Sequence, residues 1–497
     1  MSEILAQLPA LQVVLPLLAA ILIVFLRHET FSFLITLGVC LLLPVMSAAM
    51  LMEVLANGPI SYALGGWPPP FGIEYRVDLL NAIVLLLVSV IAAVTIPFAY
   101  RSVKFEIGAA RRPWFYAMFL LCLTGLLGVA ITGDAFNAFV FLEISSLSSY
   151  VLIALGRDRR ALLAAYQYLI MGTIGATFYV IGVGFLYILT GSLNLVDIAA
   201  RVAELDPAQS RALLTALAFI TVGVCLKLAL FPLHFWLPNA YAYAPSFVTV
   251  FLSATATKVA IYLLIRFYFT VFGGALDFDA LPVMDILLVL SLAAMFVASI
   301  IAVFQTNLKR MLAYSSVAQI GYMTLGLSIA NTQALTGSIV HMINHGIMKA
   351  ALFLALGAVF YRVNSVRLSD ICGIGRSMPI TMTAFTLAGL GIIGVPGTAG
   401  FISKWYLATG ALESGSWIIV GLIVGSSIIS VVYIGRILEA VWLREPSVET
   451  EKAKDPPLSM LVPLIVLAAA TIYLGLDTRA TVGIASMAAE ALVGGLR

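Results

Sequence analysis

Apolar runs of about twenty residues, the length that crosses a bilayer's hydrocarbon core, follow one another along the whole chain. They predict spans over residues 6–26, 31–53, 79–100, 114–132, 134–155, 162–190, 210–237 and 246–272. Further spans cover 282–304, 308–330, 334–361, 379–412, 417–443 and 458–476. Fourteen such spans describe an all-α polytopic membrane protein. The longest polar connections, 54–78, 191–209 and 362–378, are too short to fold a soluble catalytic domain, so the chain is expected to be part of a transporter, not an enzyme in its own right. The stretch "GGWPPPFGIEYRVD" reads as a surface turn ordered by proline and glycine. The first apolar run lacks a basic n-region and a small-residue cleavage site and reads as a retained helix.

Composition agrees with this pattern. The chain is 62% hydrophobic and 10% charged, with a mean hydropathy of +1.08, against roughly 25% charged in soluble domains. Cys40, Cys122, Cys225 and Cys372 are scattered and imply neither a disulfide framework nor a metal cluster. Lysines and arginines accumulate in cytoplasmic loops. Sixteen lie in loops after odd-numbered spans, and five (Arg76, Arg201, Arg211, Arg479, Arg497) lie after even-numbered spans or in the C-terminal tail. Both termini are therefore expected on the outer side. The net charge of +3 follows from this loop bias and gives no reason to expect a nucleic-acid partner.

The other six of the 27 basic residues fall deeper inside spans than Arg211, Lys309 and Arg310 at their edges: Lys227, Lys258, Arg266, Lys349, Lys404 and Arg436. Glu143, His341 and His345 accompany them, and His234 follows Pro232. A charge at the centre of a span costs about 2.5–3.5 kcal/mol on insertion scales, so this many imply a polar, hydrated interior. Arg266 and Arg436 stand near enough to span ends to snorkel to the interface. His234 suits a hydrogen bond at a helix break as well as ion handling. Lys227, Lys258 and Lys404 lie deeper among apolar residues, where they either carry protons or lock helices by ion pairing. Desolvation disfavours an ammonium, and a nearby carboxylate opposes it. Glu143, in "FVFLEISSLSSY", is expected to approach Lys227 and set its hold on a proton. Ser145, Ser146, Ser148 and Ser149 beside it offer hydroxyls for a hydrated file.

Pro232 breaks the seventh span, and Pro396, Gly397 and Gly400 in "GVPGTAGFISKWYL" break the twelfth close to Lys404. Unwound backbone at membrane depth persists only where protein or water satisfies it, so two broken helices beside lysines mark an interior polar path. "GVPGTAG" is no phosphate loop, since no strand precedes it and no GKS/T follows. In "HMINHGIMK", His341, His345 and Lys349 recur every fourth residue on one helix face, with Ser338 and Asn344 nearby. Zinc would need further ligands, and no Glu, Asp or Cys lies close in sequence. A proton relay suits the row better, because histidine titrates near neutrality. Tyr314, Ser315, Ser316 and Gln319 supply further polar groups to the same file. Sliding residues 166–187 by 174 onto 340–361 gives three coincidences, so residue identities reveal no internal repeat.

At "LKLALFPLHFWLPNAYAYAP", "NLKRMLAYSSVAQIGY", "HMINHGIMKAALF" and "GVPGTAGFISKWY" the chain resembles the antiporter-like membrane subunits shared by respiratory complex I, membrane-bound hydrogenases and Mrp-type Na+/H+ antiporters. "ITGDAFNAFVFLEISSLSSYVLIALGR" followed by "YQYLIMGTIGATF" is most similar to the D-type member of the Mrp antiporters. The resemblance implies two inverted five-helix units, spans 4–8 and 9–13, each with a broken helix (7 and 12). The expected division is 1–113 for the N-terminal helices, 114–272 and 273–443 for the two repeats, and 444–497 for helix 14 and a tail. It implies Glu143 as partner of Lys227, Lys258 as a bridge, Lys404 as the distal lysine, and His341 and His345 as polar positions of span 11. A lysine at 404 suits the D type, since one of the complex I subunits has glutamate there. The chain lacks the extra C-terminal helices of the A type. Expected partners in the cell membrane are A-like, C-like and small membrane subunits. Inward H+ would be coupled to outward Na+, Li+ or K+, with no cofactor. A proton-pumping subunit of a quinone-linked NADH dehydrogenase or membrane-bound hydrogenase would show the same lysine row and stays open as the alternative. So does a scaffold in which the charges merely pair.

Overall fold

The computed structural model describes residues 6–205, 210–273 and 282–494. Arg497, counted above among the tail's basic residues, lies outside them. Three N-terminal helices come first: α1 (Leu8–Leu26), α2 (Glu29–Asn57) and α3 (Leu79–Glu106). The first broken-helix region comprises α4 (Arg112–Ile131), α5 (Ala135–Ala154), α6 (Arg160–Thr190), the short α7 (Leu195–Ala203), the pair α8 (Ser210–Leu228) and α9 (Trp236–Tyr243), and α10 (Ser246–Ile265). The second comprises α11 (Val283–Val303), α12 (Leu308–Ile329), α13 (Thr332–Val363), the pair α14 (Pro379–Ile393) and α15 (Ala399–Glu413), and α16 (Trp417–Trp442). α17 (Leu458–Leu476) and α18 (Arg479–Gly494) close the chain.

Among the described residues, twelve helices are long and apolar enough to cross a membrane. The other two expected spans are α12, the more polar helix that carries Lys309 and Arg310, and the broken pair α14–α15. Two connections differ from expectation. The stretch read as a simple surface turn is the end of a β-hairpin, with β1 (Ile60–Ala63) antiparallel to β2 (Glu74–Val77). It is held because Glu74, almost fully buried, accepts from Ser61 Oγ at 2.5 Å and Asn194 Nδ2 at 2.7 Å. The expected tail is helical: α18 buries Ala485, Ala488 and Ala489 on one side.

Backbone geometry shows a repeat that residue identities conceal. Ala135 N donates to Leu193 O and Leu195 N to Gly133 O, both at 2.8 Å. Leu308 N donates to Val366 O and Leu368 N to Thr306 O, both at 2.9 Å, and every residue of this second pair lies 173 positions after its counterpart. The caps repeat at the same offset: Asp134 accepts from Asn137 N at the start of α5, and Asn307 from Arg310 N at the start of α12. A five-crossing offset between equivalent helices reverses their direction, which is what an inverted repeat requires.

Both broken pairs stop where left-handed backbone ends a half-helix. Ala229 (φ 61°) follows α8, and Gly394 (φ 89°) and Gly397 (φ 86°) follow α14. Pro232 lies within the first gap and Pro396 within the second. α8 ends one residue after Lys227, short of the span expected to reach residue 237. Small residues let α8 approach α6 closely, as membrane helices do where lipid gives no hydrophobic drive for association. A Cβ on Gly223 would stand 2.6 Å from Tyr179 N and 2.7 Å from Gly175 O. Gly223→Val is therefore expected to destabilise the protein by about 1–3 kcal/mol or more, the usual cost of overpacking, read as a lower melting temperature in detergent. Gly184→Ala, which meets open space, serves as the neutral control.

Candidate functional site

Lys227 sits in the last turn of α8, with its side chain 5% exposed. Its Nζ donates to Glu143 Oε1 of α5 at 3.1 Å and to Ser146 Oγ at 2.7 Å. Glu143 and Ser146 share a face of α5, so one helix supplies both acceptors. Glu143 is 24% exposed on its side chain. The other serines do not join this pair. Ser145, Ser148 and Ser149 donate to Leu142 O, Ile144 O and Ser145 O of their own helix, the local bonding open to such residues within helices.

The second broken pair holds its lysine differently. Lys404, in α15, donates to Ile392 O at 3.0 Å, Ile393 O at 2.9 Å and Ser427 Oγ of α16 at 3.0 Å. The two carbonyls belong to the last residues of α14, which have no helical successor to pair with, and the dipole there favours a cation. The ammonium also lies 4.7 Å from the Tyr322 ring centroid, within cation–π range. Gly400 permits the approach, since a Cβ there would stand 1.9 Å from Gly391 O.

Between the two lysines lies a row of buried polar groups on α10, α12 and α13. Lys258, fully buried on α10, donates to Ser253 O and to Thr257 Oγ1. α13 approaches it closely: a Cβ on Gly346 would lie 3.0 Å from Ala254 O. The rings of His341 and His345 are parallel at 5.9 Å, inclined by 7°. His341 Nδ1 shares a 2.7 Å hydrogen bond with Ser403 Oγ, the residue before Lys404. Asn344 Nδ2 donates to Ala399 O, and Lys349 Nζ to Leu312 O, both at 2.7 Å. His341 Nε2, both His345 nitrogens, Asn344 Oδ1 and both amide atoms of Gln319 are buried without a protein partner. Six of the thirteen such atoms among the described residues thus concentrate on two neighbouring helices, where polar atoms of this kind call for water.

His234, buried in the first break, packs against Phe231 and Phe235 and meets Tyr314 at 6.1 Å between ring centroids. Arg436 is partly exposed. Arg266 does not snorkel: it is 7% exposed and donates to both oxygens of Asp78 at 2.7 and 2.8 Å. Burial pushes the Asp78 carboxyl up, but the Arg266 charge and hydrogen bonds outweigh it and hold the group below its usual value. Among the described residues, no group of three or more His, Cys, Asp or Glu side chains is placed to hold a metal ion.

Residues 132–430, which include both lysine centres and the histidine row, match the family described as "NADH:quinone oxidoreductase/Mrp antiporter, TM". The chain belongs to this family. Among its relatives, NADH-quinone oxidoreductase subunit N of Desulforudis audaxviator is 42% identical over 95% of this chain and 96% of the relative. The D subunit of the Na(+)/H(+) antiporter of Alkalihalophilus pseudofirmus is 30% identical over 93% of each. A chain in the structure of the Mrp complex from Dietzia sp. superposes with a TM-score of 0.89 and 26% identity, covering 99% of both chains. The protein is thus an antiporter-like, multi-pass membrane subunit of the Mrp and complex I type.

Residue type alone did not single out Ser403, Tyr322 and Ser427, which the fold places on His341 and Lys404. Their signal was weak: single hydroxyls at helical spacing within apolar runs. Ser146→Ala is expected to cost about 1.5–3 kcal/mol, the range for a hydrogen bond to a charged group. Ser149→Ala, which leaves Lys227 untouched, should change the melting temperature little.

Proposed function

We propose that this chain carries protons across the membrane along Glu143, Lys227, Lys258, His345, His341 and Lys404, in a complex that exports Na+ in exchange. The observation that carries this reading is the alignment of buried amines and imidazoles between two broken helices, with partnerless polar atoms gathered in the middle. Such groups exchange protons through water, and each changes the proton affinity of the next through its charge. Lys349, Ser146, Ser149, Tyr314, Gln319 and His234 support the row in this scheme, Ser149 from a position where it bonds Ser145 O and meets Cys122 Sγ of α4 at 3.3 Å.

Sodium is assigned to a neighbouring chain of the complex. The carboxylate in the row, Glu143, is already paired with Lys227, and hard cations take several oxygen ligands. By analogy with the Mrp relatives, the partners are A-like, C-like and small membrane subunits. From the lysine and arginine bias we infer a position in the cell membrane with both termini on the outer side.

A second reading, proton pumping driven by a redox complex, is favoured by the 42% identity to a chain named NADH-quinone oxidoreductase subunit N. Purification of the native assembly separates the two. Flavin and iron–sulfur absorbance with soluble subunits would establish the redox reading, and small hydrophobic partners without redox centres the antiport reading.

Lys227→Ala is expected to abolish proton movement in vesicles while the complex still assembles; transport at the unsubstituted rate would remove Lys227 from the path. Glu143→Gln removes the negative charge that favours the ammonium form of Lys227, so the pH optimum of transport should move down. An unchanged pH profile in that variant would refute electrostatic coupling within the pair.

A further inference from the structure

A second buried charge cluster lies at the C-terminal end of α10, away from its start at Ser246. Arg266 stands where α10 passes into a π-helical turn, Arg266–Val271, a distortion frequent at functional positions. Besides Asp78, its guanidinium donates to Thr270 Oγ1 at 3.2 Å and lies 5.4 Å from the Tyr262 ring centroid. Asp78 is fixed in turn as the N-cap of α3, accepting from the backbone of Leu80 and Asn81. Lys258, Tyr262 and Arg266 recur at four-residue spacing, so one face of α10 runs from the lysine row to this cluster.

Arg266, Asp78, Tyr262 and Thr270 line a cavity of about 440 Å³ between the ends of α2 and α10 and the helices α7 and α18. Its rim includes the partly exposed Arg76 and Val196. The cavity lies at the end of the bundle whose loops carry few basic residues. Lys258 leans away from it, toward Ser253 O, and Tyr262, whose hydroxyl donates to Ala130 O at 3.0 Å, stands between the lysine and the cavity.

We propose that this cavity is the outward mouth of the proton path and that the Asp78–Arg266 pair is the latch that keeps it from leaking. The proposal rests on the proton-carrying reading above. Bonded to both Asp78 oxygens, the guanidinium closes the inner wall of the cavity and keeps part of its positive charge against hydronium and metal cations. With the latch closed and Lys258 turned toward Ser253, the row is cut off from the outer side. Parting the pair moves that positive charge out of the way and joins the row to the cavity.

The test measures passive decay of an imposed pH gradient, without sodium, in proteoliposomes holding the purified complex. Arg266→Gln should collapse the gradient several-fold faster than the unsubstituted complex, and Arg266→Lys, which keeps the charge, should restore most of the seal. Because the first variant leaves Asp78 buried and unpaired, the double variant Asp78→Asn/Arg266→Gln, which carries no orphaned charge, provides the decisive arm. If that complex assembles and holds the gradient as tightly as the unsubstituted one, the latch is overturned. Thr270→Cys, treated from the outer face with a membrane-impermeant thiol reagent, should lose proton transport; full transport after complete labelling would overturn the mouth. Unsubstituted protein is the control, since Cys40, Cys122 and Cys225 are buried and the half-buried Cys372 lies in the α13–α14 connection at the opposite end of the bundle. Failure of the underlying reading shows separately, as normal transport in Lys227→Ala.

Discussion

An ammonium group held inside an apolar bundle must find acceptors for its protons, and the fold is arranged around meeting that demand. An intact helix offers only shared ones, because its carbonyls are already engaged in the ladder, as where Lys349 donates to Leu312 O and Lys258 to Ser253 O. Breaking the helix frees them at the cost of the broken bonds, and an ammonium offsets part of that cost by occupying the freed sites. Lys404 meets its demand in this way, through the carbonyls of Ile392 and Ile393. The prolines and glycines that interrupt the two spans are thus the counterpart of the lysines next to them.

The two centres solve the same problem with different electrostatics. Lys227 faces a carboxylate, so it loses its neighbouring negative charge when Glu143 is neutralised. Lys404 makes its hydrogen bonds to dipoles, two carbonyls and a hydroxyl, and faces an aromatic ring. The first centre can be switched by a charge, while the second responds chiefly to geometry. The buried imidazoles of His341 and His345 connect them, and Ser403 ties this connection to the second centre.

Much of this was legible in the sequence because the membrane imposes a single strong constraint on length and hydropathy. The spans could be read directly, and the approach of Glu143 to Lys227 could be anticipated because few interior carboxylates compete for the lysine. The fate of Arg266 could not be read, since its partner Asp78 lies 188 positions away in a loop, and proximity to a span end looks the same whether the side chain turns outward or inward. The hydrogen bonds of Ser149 could not be read for a related reason: whether a hydroxyl turns to its own helix or a neighbour is decided by packing, and Ser149 meets both Ser145 O and Cys122 Sγ. The repeat escaped residue matching because it resides in backbone bonds and caps, which many side chains satisfy equally well.

One small contact at the first break has a further consequence. Trp236 Nε1 donates to Leu226 O across the gap at 3.0 Å, so the indole of α9 holds the carbonyl adjoining the lysine. Leu226 O also accepts from Ala229 N at 3.3 Å, so a tilt of the short helix that breaks the indole bond removes one of two donors from a carbonyl one residue from the amine. The indole thus ties the position of the short helix to the electric potential beside Lys227.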